Sequence, residues 1–239
     1  MTTATQTVRE IVQKQPSSIG VFEEYDIEFC CGGDKPLAEA CAAKDVDVES
    51  VIVALEAAAY RNENVQAYDW AEESLEALTA YIVAKHHAFC KRELPRLAGL
   101  AAKVFNQHGG TNPELALIRS KFAQLAEELT EHLAEEEVLV FPMIVSLEHN
   151  NRTIDHEGGL SPTSIGDPVS ALIRDHDHAG TLLAGIRSLS RDFTVPDNAC
   201  SSLQTFYTGL RDFEQDLHRH VHLENNILFP RAIELEAAS

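Results

Sequence analysis

Apolar side chains recur every three to four residues along most of this chain, the spacing of helices that turn one face to a core. Ala80, Val83 and Leu94 flank His87 at that spacing, on a helix expected from about residue 70 to 106 whose apolar positions include Leu75, Leu78 and Ile82. Pro95 is expected to kink it. A second helix should start at Asn112-Pro113-Glu114, a capping side chain followed by proline and an acid, and run to about Leu147. Asp167-Pro168 opens a third, through Leu172, Ile173, His176, Ala179 and Leu183 to about Leu189. A fourth covers about Ala199 to Ile233. Gly109-Gly110, the irregular stretch from His149 to Asp167 and Pro196-Asp197-Asn198 punctuate them, and the 149–167 stretch is expected to be mobile. No strand pattern competes. The fold expected over residues 70–239 is all-α, an up-down-up-down four-helix bundle.

Residues 1–65 read as a separate small helical domain. Val8 to Gln13 gives a short helix stopped by Pro16, and Ser17 or Ser18 is placed to cap the next, through Ile19, Val21 and Phe22. Phe29-Cys30-Cys31-Gly32-Gly33 is a turn by its glycines. Asp34 and Pro36 restart a helix through Leu37 and Cys41, and Asp47 can cap another through Val51, Val53 and Leu55. So few large side chains can bury little surface alone.

A repeat interrupts the periodicity. His132 and Glu136 lie four residues apart and are followed by Phe141-Pro142; His220, Glu224 and Phe229-Pro230 repeat the arrangement 88 residues later. Positions i and i+4 share a helix face, so each copy aims an imidazole and a carboxylate at one point. Both groups are ligands for iron, manganese or zinc. A single such pair is commonly just exposed; two copies in one register are not so easily dismissed. His87 and His176, 89 residues apart, project from apolar stripes and complete the duplication. Four buried histidines without partners would be costly, and a shared metal removes that cost. The set His87, His132, Glu136, His176, His220 and Glu224 exceeds the three protein ligands of a catalytic zinc and suits two metals bridged by both carboxylates. So many imidazoles favour iron or zinc over magnesium or calcium.

Charge narrows the functions. Nineteen Lys and Arg against 38 Asp and Glu leave a formal charge of −19, which disfavours nucleic acid and anionic membrane as partners. No apolar run is long enough to span a bilayer, the N-terminus has no apolar signal segment, and five cysteines form no disulfide framework, so a cytoplasmic location is the default expectation.

The stretches HVHLENNILFPR (220–231) and HLAEEEVLVFPMI (132–144), with His86-His87 upstream of Leu94-Pro95 and Cys30-Cys31-Gly32-Gly33 in a small N-terminal domain, resemble the repair-of-iron-centres family. The resemblance covers nearly the whole chain. It implies a hemerythrin-like protein with two iron ions, oxo- or hydroxo-bridged and bridged by Glu136 and Glu224, and the same six ligands that the repeat singles out. It implies repair of iron–sulfur clusters after nitrosative or oxidative stress, with damaged iron–sulfur proteins and oxygen or nitric oxide as partners, in a monomer or homodimer. The repeat alone supplies a dimetal site; iron, repair and stress come from the resemblance.

One position departs from that family: His178 stands where an acidic residue is expected. His178, His218 and His222, each two residues from a ligand, are expected to face outward; His86 is a candidate to support the ligands, and His108, His149 and His156 are expected in solvent. Cys30 and Cys31 read as buried small residues near a turn, as redox-active thiols, or as thiols that transfer iron or a nitrogen oxide. Cys41, Cys90 and Cys200 are expected to pack on helix faces. The competing function is a hemerythrin-like carrier or sensor of oxygen or nitric oxide; a metal-free interaction module would need no duplicated ligands.

Overall fold

The computed structural model describes residues 2–30, 33–62, 70–149, 164–197 and 199–238. These form eight helices and no strand, only an isolated bridge between Thr7 and Pro36. The chain divides into two compact units, Met1–Ser74 with His218–Arg231, and Leu75–Leu217 with Ala232–Ser239.

In the first unit, α1 (Val8–Lys14), α2 (Ser18–Glu24), α3 (Leu37–Ala43) and α4 (Val48–Asn62) bury Val8, Ile11, Phe22, Phe29, Leu37, Val51 and Leu55. Thr7 closes a capping box on α1: its hydroxyl accepts from the Glu10 N–H at 3.2 Å and the Glu10 carboxylate accepts from the Thr7 N–H at 3.2 Å. Asp47 caps α4 as expected, accepting from the Ser50 N–H at 3.0 Å. The expected serine cap of α2 is absent. Ser17 already has helical φ and ψ (−64°, −14°), which turns its hydroxyl away from the first turn, and Ser18 is buried. Gly33 lies where the chain passes α1, its carbonyl accepting from the Arg9 N–H at 2.8 Å, and a Cβ there would come within 2.9 Å of the Phe29 carbonyl oxygen.

The second unit holds the long helices. Helix α5 comprises Leu75–Ile82, Val83–His87 and Ala88–His108; α6 comprises Glu114–Glu135, Glu136–Val140 and Phe141–Glu148; α7 is Gly166–Leu189. Helix α8, Ser201–Leu223, Glu224–Leu228 and Phe229–Ala237, begins and ends in this unit while its 218–231 stretch clusters with the first. The middle segment of α5, α6 and α8 is in each case a π turn. The expected bundle helices are all present. Pro95 lies inside the continuous α5, and α6 starts at Pro113-Glu114 without a side-chain cap from Asn112.

Antiparallel order is fixed by two carboxylates at equivalent places. Glu148, at the end of α6, accepts from the Leu75 and Glu76 N–H groups at 2.7 and 2.9 Å, so the start of α5 meets the end of α6. Glu236, 88 residues later near the end of α8, accepts from the Ile165 N–H at 2.9 Å beside the start of α7. Each supplies an anion to the positive end of a neighbouring helix and satisfies amides that have no partner within it. Farther along, α7 and α8 are tied by Arg187, whose guanidinium donates to the buried Glu214 at 2.5 Å.

Within α5 the buried positions are Leu75, Leu78, Thr79, Ile82, His86, His87, Cys90, Glu93, Leu94, Leu97, Ala101 and Val104. Ala80 is exposed and Val83 half-buried, against expectation, because the π turn adds a residue and resets which positions face inward. Residues 150–163, with His156 and most of the stretch expected to be mobile, lie outside the described residues, as does Asn198.

Two outcomes test this account. Thr7→Ala removes one half of the capping box and should cost about 1 kcal/mol in urea unfolding. Glu93 is buried, and hydrogen bonds from Arg96 (2.6 Å) and Arg92 (3.0 Å) complete its shell. Burial pushes its carboxyl up, but those hydrogen bonds and charges outweigh burial and hold it below the usual carboxylate range. The folded protein therefore binds this proton less readily than the unfolded chain. The contribution is full above the ordinary Glu value and fades as pH falls through the lowered one. Since both arginines are partly exposed, Glu93→Gln should cost about 1 kcal/mol at neutral pH and less in acid. Equal destabilisation at pH 7 and pH 3 would contradict that.

Candidate metal centre

Three of the six expected ligands, His87, Glu136 and Glu224, lie within the π turns. In α6 the Phe141 N–H bonds back five residues to the Glu136 carbonyl, and in α8 the Phe229 N–H does the same to Glu224. Pro142 and Pro230 follow, and having no N–H they cannot donate into the preceding turn. His87 closes the π turn of α5. Single π turns within α-helices are frequent at functional sites.

All six expected ligands are buried, His87, Glu136 and Glu224 with no exposure. They converge in two overlapping groups: His87, Glu136, His220 and Glu224, and His132, Glu136, His176 and Glu224, the ligand atoms of each lying within 4.8 Å of one another. Both carboxylates belong to both groups, the position of bridging ligands. The Nε2 atoms of His132 and His176 are 2.9 Å apart, and His132 Nε2 lies 3.2 Å from Glu136 Oε1. His87 Nε2 is 3.4 Å from Glu136 Oε2, and His220 Nε2 is 2.9 Å from Glu224 Oε1. With metal–nitrogen and metal–oxygen bonds of about 2.0–2.2 Å, adjacent ligand atoms on one ion stand about 3 Å apart. The spacing fits.

A second observation tests that fit. Both oxygens of Glu136 are buried and make no hydrogen bond, despite the imidazoles around them. A buried carboxylate without donors is costly, whereas cations on its two oxygens would remove the deficit.

The outer ring nitrogens of His87 and His132 face carboxylates, as those of metal-bound histidines commonly do. His87 Nδ1 is 2.7 Å from Glu137 Oε1, and Lys91 donates to both Glu137 oxygens at 2.6 and 2.7 Å. Burial pushes the Glu137 carboxyl up, but Lys91 and His87 outweigh it and lower it. His132 Nδ1 is 3.3 Å from Asp175. The ring of Phe141 stacks on His87 with centroids 5.5 Å apart. Sequence reading missed Glu137 and Asp175. Their acidic neighbours hide them, and only the packing of α5 on α6 and of α6 on α7 picks them out.

Two openings reach this region. A groove of about 930 Å³ along α5 and α6 includes Val83, Glu137, Phe141 and Val145, and a smaller cavity of about 310 Å³ includes His132, Glu135, Asp175 and His178. His178, the residue that departs from the family pattern, is half-exposed there, 3.5 Å from Glu128.

The other histidines divide. His86 is buried with Nδ1 3.1 Å from Asp216, and His149 is exposed beside Glu76. His222 is not outward-facing: it is 2 % exposed, accepts from Asn226 Nδ2 at 2.8 Å and meets the edge of Phe29. Burial pushes it down to about 4, with Arg9 adding to the effect, so it is neutral at pH 7. The helix angle was right, but the face opposite His220 is covered too. His108 is half-buried 3.0 Å from the Cys200 thiol, and Cys200 precedes α8 instead of packing on its face. Cys41 and Cys90 are buried in helices, Cys30 is buried in the turn after α2, and Cys31 lies outside the described residues.

Residues 78–232 match the hemerythrin HHE cation-binding domain. The chain belongs to this hemerythrin-like family. Residues 4–59 match ScdA_N, a domain of unknown function. Over 235 residues, 95% of this chain and 96% of the relative, it is 34% identical to the iron-sulfur cluster repair protein YtfE of Dickeya chrysanthemi (strain Ech1591). Proteins of the same name from Yersinia pseudotuberculosis serotype IB (strain PB1/+) and Yersinia pestis (strain Pestoides F) are each 31% identical over 218 residues, 91% of this chain and 92% of theirs. The two His/Glu groups of this hemerythrin-like domain fit a di-iron centre.

If Glu137 orients His87 for a metal, Glu137→Gln should lower metal affinity about 10- to 100-fold while helix content is retained. Competition with a chromophoric chelator measures it; unchanged affinity would leave Glu137 as a partner of Lys91 alone.

Proposed function

We propose that this protein takes part in repairing iron–sulfur clusters damaged by nitrosative or oxidative stress, in the cytoplasm, by donating iron, handling nitric oxide, or both. The observation that carries the reading is the buried constellation of four imidazoles and two shared carboxylates. It occurs in a chain 34% identical to a protein named for that repair. In this reading His87, His132, Glu136, His176, His220 and Glu224 hold two iron ions, with Glu136 and Glu224 bridging. When bound, such a centre supplies redox-active metal with coordination positions left over for small molecules.

The chain's own residues set the conditions. Glu137 and Asp175 keep two imidazole rings oriented with Nε2 inward. Phe141 covers His87, and the apolar walls around it suit a small, weakly polar ligand. Cys30 and Cys31 are assigned to transfer and not to the dimetal ligand set. A carrier of oxygen or nitric oxide has no evident need of these thiols, which is why repair is favoured over simple binding.

The reduced protein, incubated anaerobically with a dehydratase whose cluster nitric oxide has damaged, should restore its activity. Glu136→Leu should lose one or both irons and that activity while keeping its helices. Cys30→Ser/Cys31→Ser should keep two irons and the oxidised optical spectrum yet lose most of the repair. Fully reversible uptake of oxygen or nitric oxide with no reactivation of the dehydratase would favour the carrier. Two irons retained in Glu136→Leu would remove the bridging assignment.

A further inference from the structure

A second set of metal-ligating side chains lies within the first unit. Cys30 Sγ, a Glu28 carboxylate oxygen and an imidazole nitrogen of His218 come within 4.8 Å of one another. None of the three belongs to the constellation of four histidines and two glutamates. We propose that Glu28, Cys30 and His218 form a separate mononuclear site for a divalent transition-metal ion of the iron-to-zinc series.

Chemistry and placement support this. One thiolate, one imidazole and one carboxylate make a donor set of mixed softness that suits such ions and disfavours magnesium and calcium. Three protein ligands leave a position open for water or an incoming group, the arrangement of an exchanging site and not of a closed structural one. Cys30 is 3 % exposed, His218 is half-buried and Glu28 is exposed, so the set has a sheltered sulfur and one face towards solvent. The thiol is directed at its neighbour, Cys30 Sγ donating to Glu28 Oε1 at 2.6 Å while the Cys30 N–H donates to the same oxygen at 3.1 Å. On binding, the thiol proton leaves to solvent and a sulfur–metal bond replaces the S–H bond, with no change of oxidation state.

The three side chains come from two segments far apart in sequence, 28–30 and 218, and specific contacts hold those segments together. Asn226 Nδ2 donates to the Phe29 carbonyl at 3.0 Å, and Gln13 Nε2 donates to the Asn226 carbonyl at 2.5 Å. The Phe29 ring meets the edges of His218 and His222 with centroids 6.1 and 6.0 Å away. Arg219, next to His218, forks onto Glu23 at 2.8 and 2.7 Å. The turn after α2 is thereby fastened to the 218–226 stretch of α8 by groups that are not themselves ligands, so the site does not depend on the metal to assemble.

His218 stands two residues before His220 on one helix. Two positions along a helix turn about 200°, so this site and His220 lie on different faces of α8. The site itself is argued from the three side chains and does not rest on cluster repair.

Cobalt(II) titrated anaerobically into the full-length metal-free chain is the test. The His/Glu constellation contains no sulfur, so sulfur-to-cobalt charge-transfer absorption that depends on Cys30 reports the new site. One equivalent of cobalt in about three should carry that absorption. Cys30→Ser should abolish it and leave the other two equivalents in place. His218→Leu and Glu28→Gln should each raise the cobalt concentration at half-saturation of the band at least tenfold. Wild-type protein without the band, a band that survives Cys30→Ser, or a midpoint unmoved in both His218→Leu and Glu28→Gln would each overturn the proposal. Should Cys30→Ser fail to fold, as its circular dichroism would reveal, the two other variants decide. The readout is binding, so loss of dehydratase reactivation would not mimic its failure.

Discussion

Everything in the hemerythrin-like part of this chain follows from burying two carboxylates and four imidazoles in an apolar bundle. Ionised groups lose their hydration there, and Glu136 recovers no hydrogen bond in exchange. Such an interior is tolerable only when positive charge is supplied from within, and the convergence of ring nitrogens on the same oxygens gives that charge a place to sit. The acids Glu137 and Asp175 belong to the same constraint: they meet the outer nitrogens of His87 and His132, whose inner nitrogens face the carboxylates.

The six residues that converge were legible because they repeat. The 88-residue offset between His132-Glu136-Phe141-Pro142 and His220-Glu224-Phe229-Pro230 needs only counting, and His87 and His176 follow from their apolar stripes. The π turns were not read from the same motif; its one trace of them is a proline without an N–H after each phenylalanine whose own N–H reaches back five residues, Pro142 and Pro230. His222 was misplaced because angle around a helix says which residues oppose a ligand and nothing about what covers them. Glu148 and Glu236 were invisible for a related reason. Their value lies in the amides they meet across a hairpin, and acids are plentiful in a chain of this charge.

The N-terminal unit shows how limited local signals are at short range. Asp47 and Thr7 both precede helices, and both cap; Ser17 also precedes one but is already helical itself. What separates them is the backbone conformation of one residue, which neighbours set and composition does not. The turn carrying Cys30 behaves similarly: its glycines announce a turn, while its thiol is directed by Glu28, a residue with no distinguishing neighbours in sequence.

The π turns have a consequence for how the chain can vary in length. Each holds one residue more than the α turn it replaces, which in a gene is a single extra codon. The bulge falls at the same step in two helices, beginning at Glu136 in α6 and at Glu224 in α8. Removing it would let the helix rewind and swing every residue beyond it by about 100°. Phe141 and Ile144 would leave the core together. In these helices substitutions can accumulate one at a time, but length cannot drift, and the reading frame of the bundle is kept by the metal chemistry at its centre.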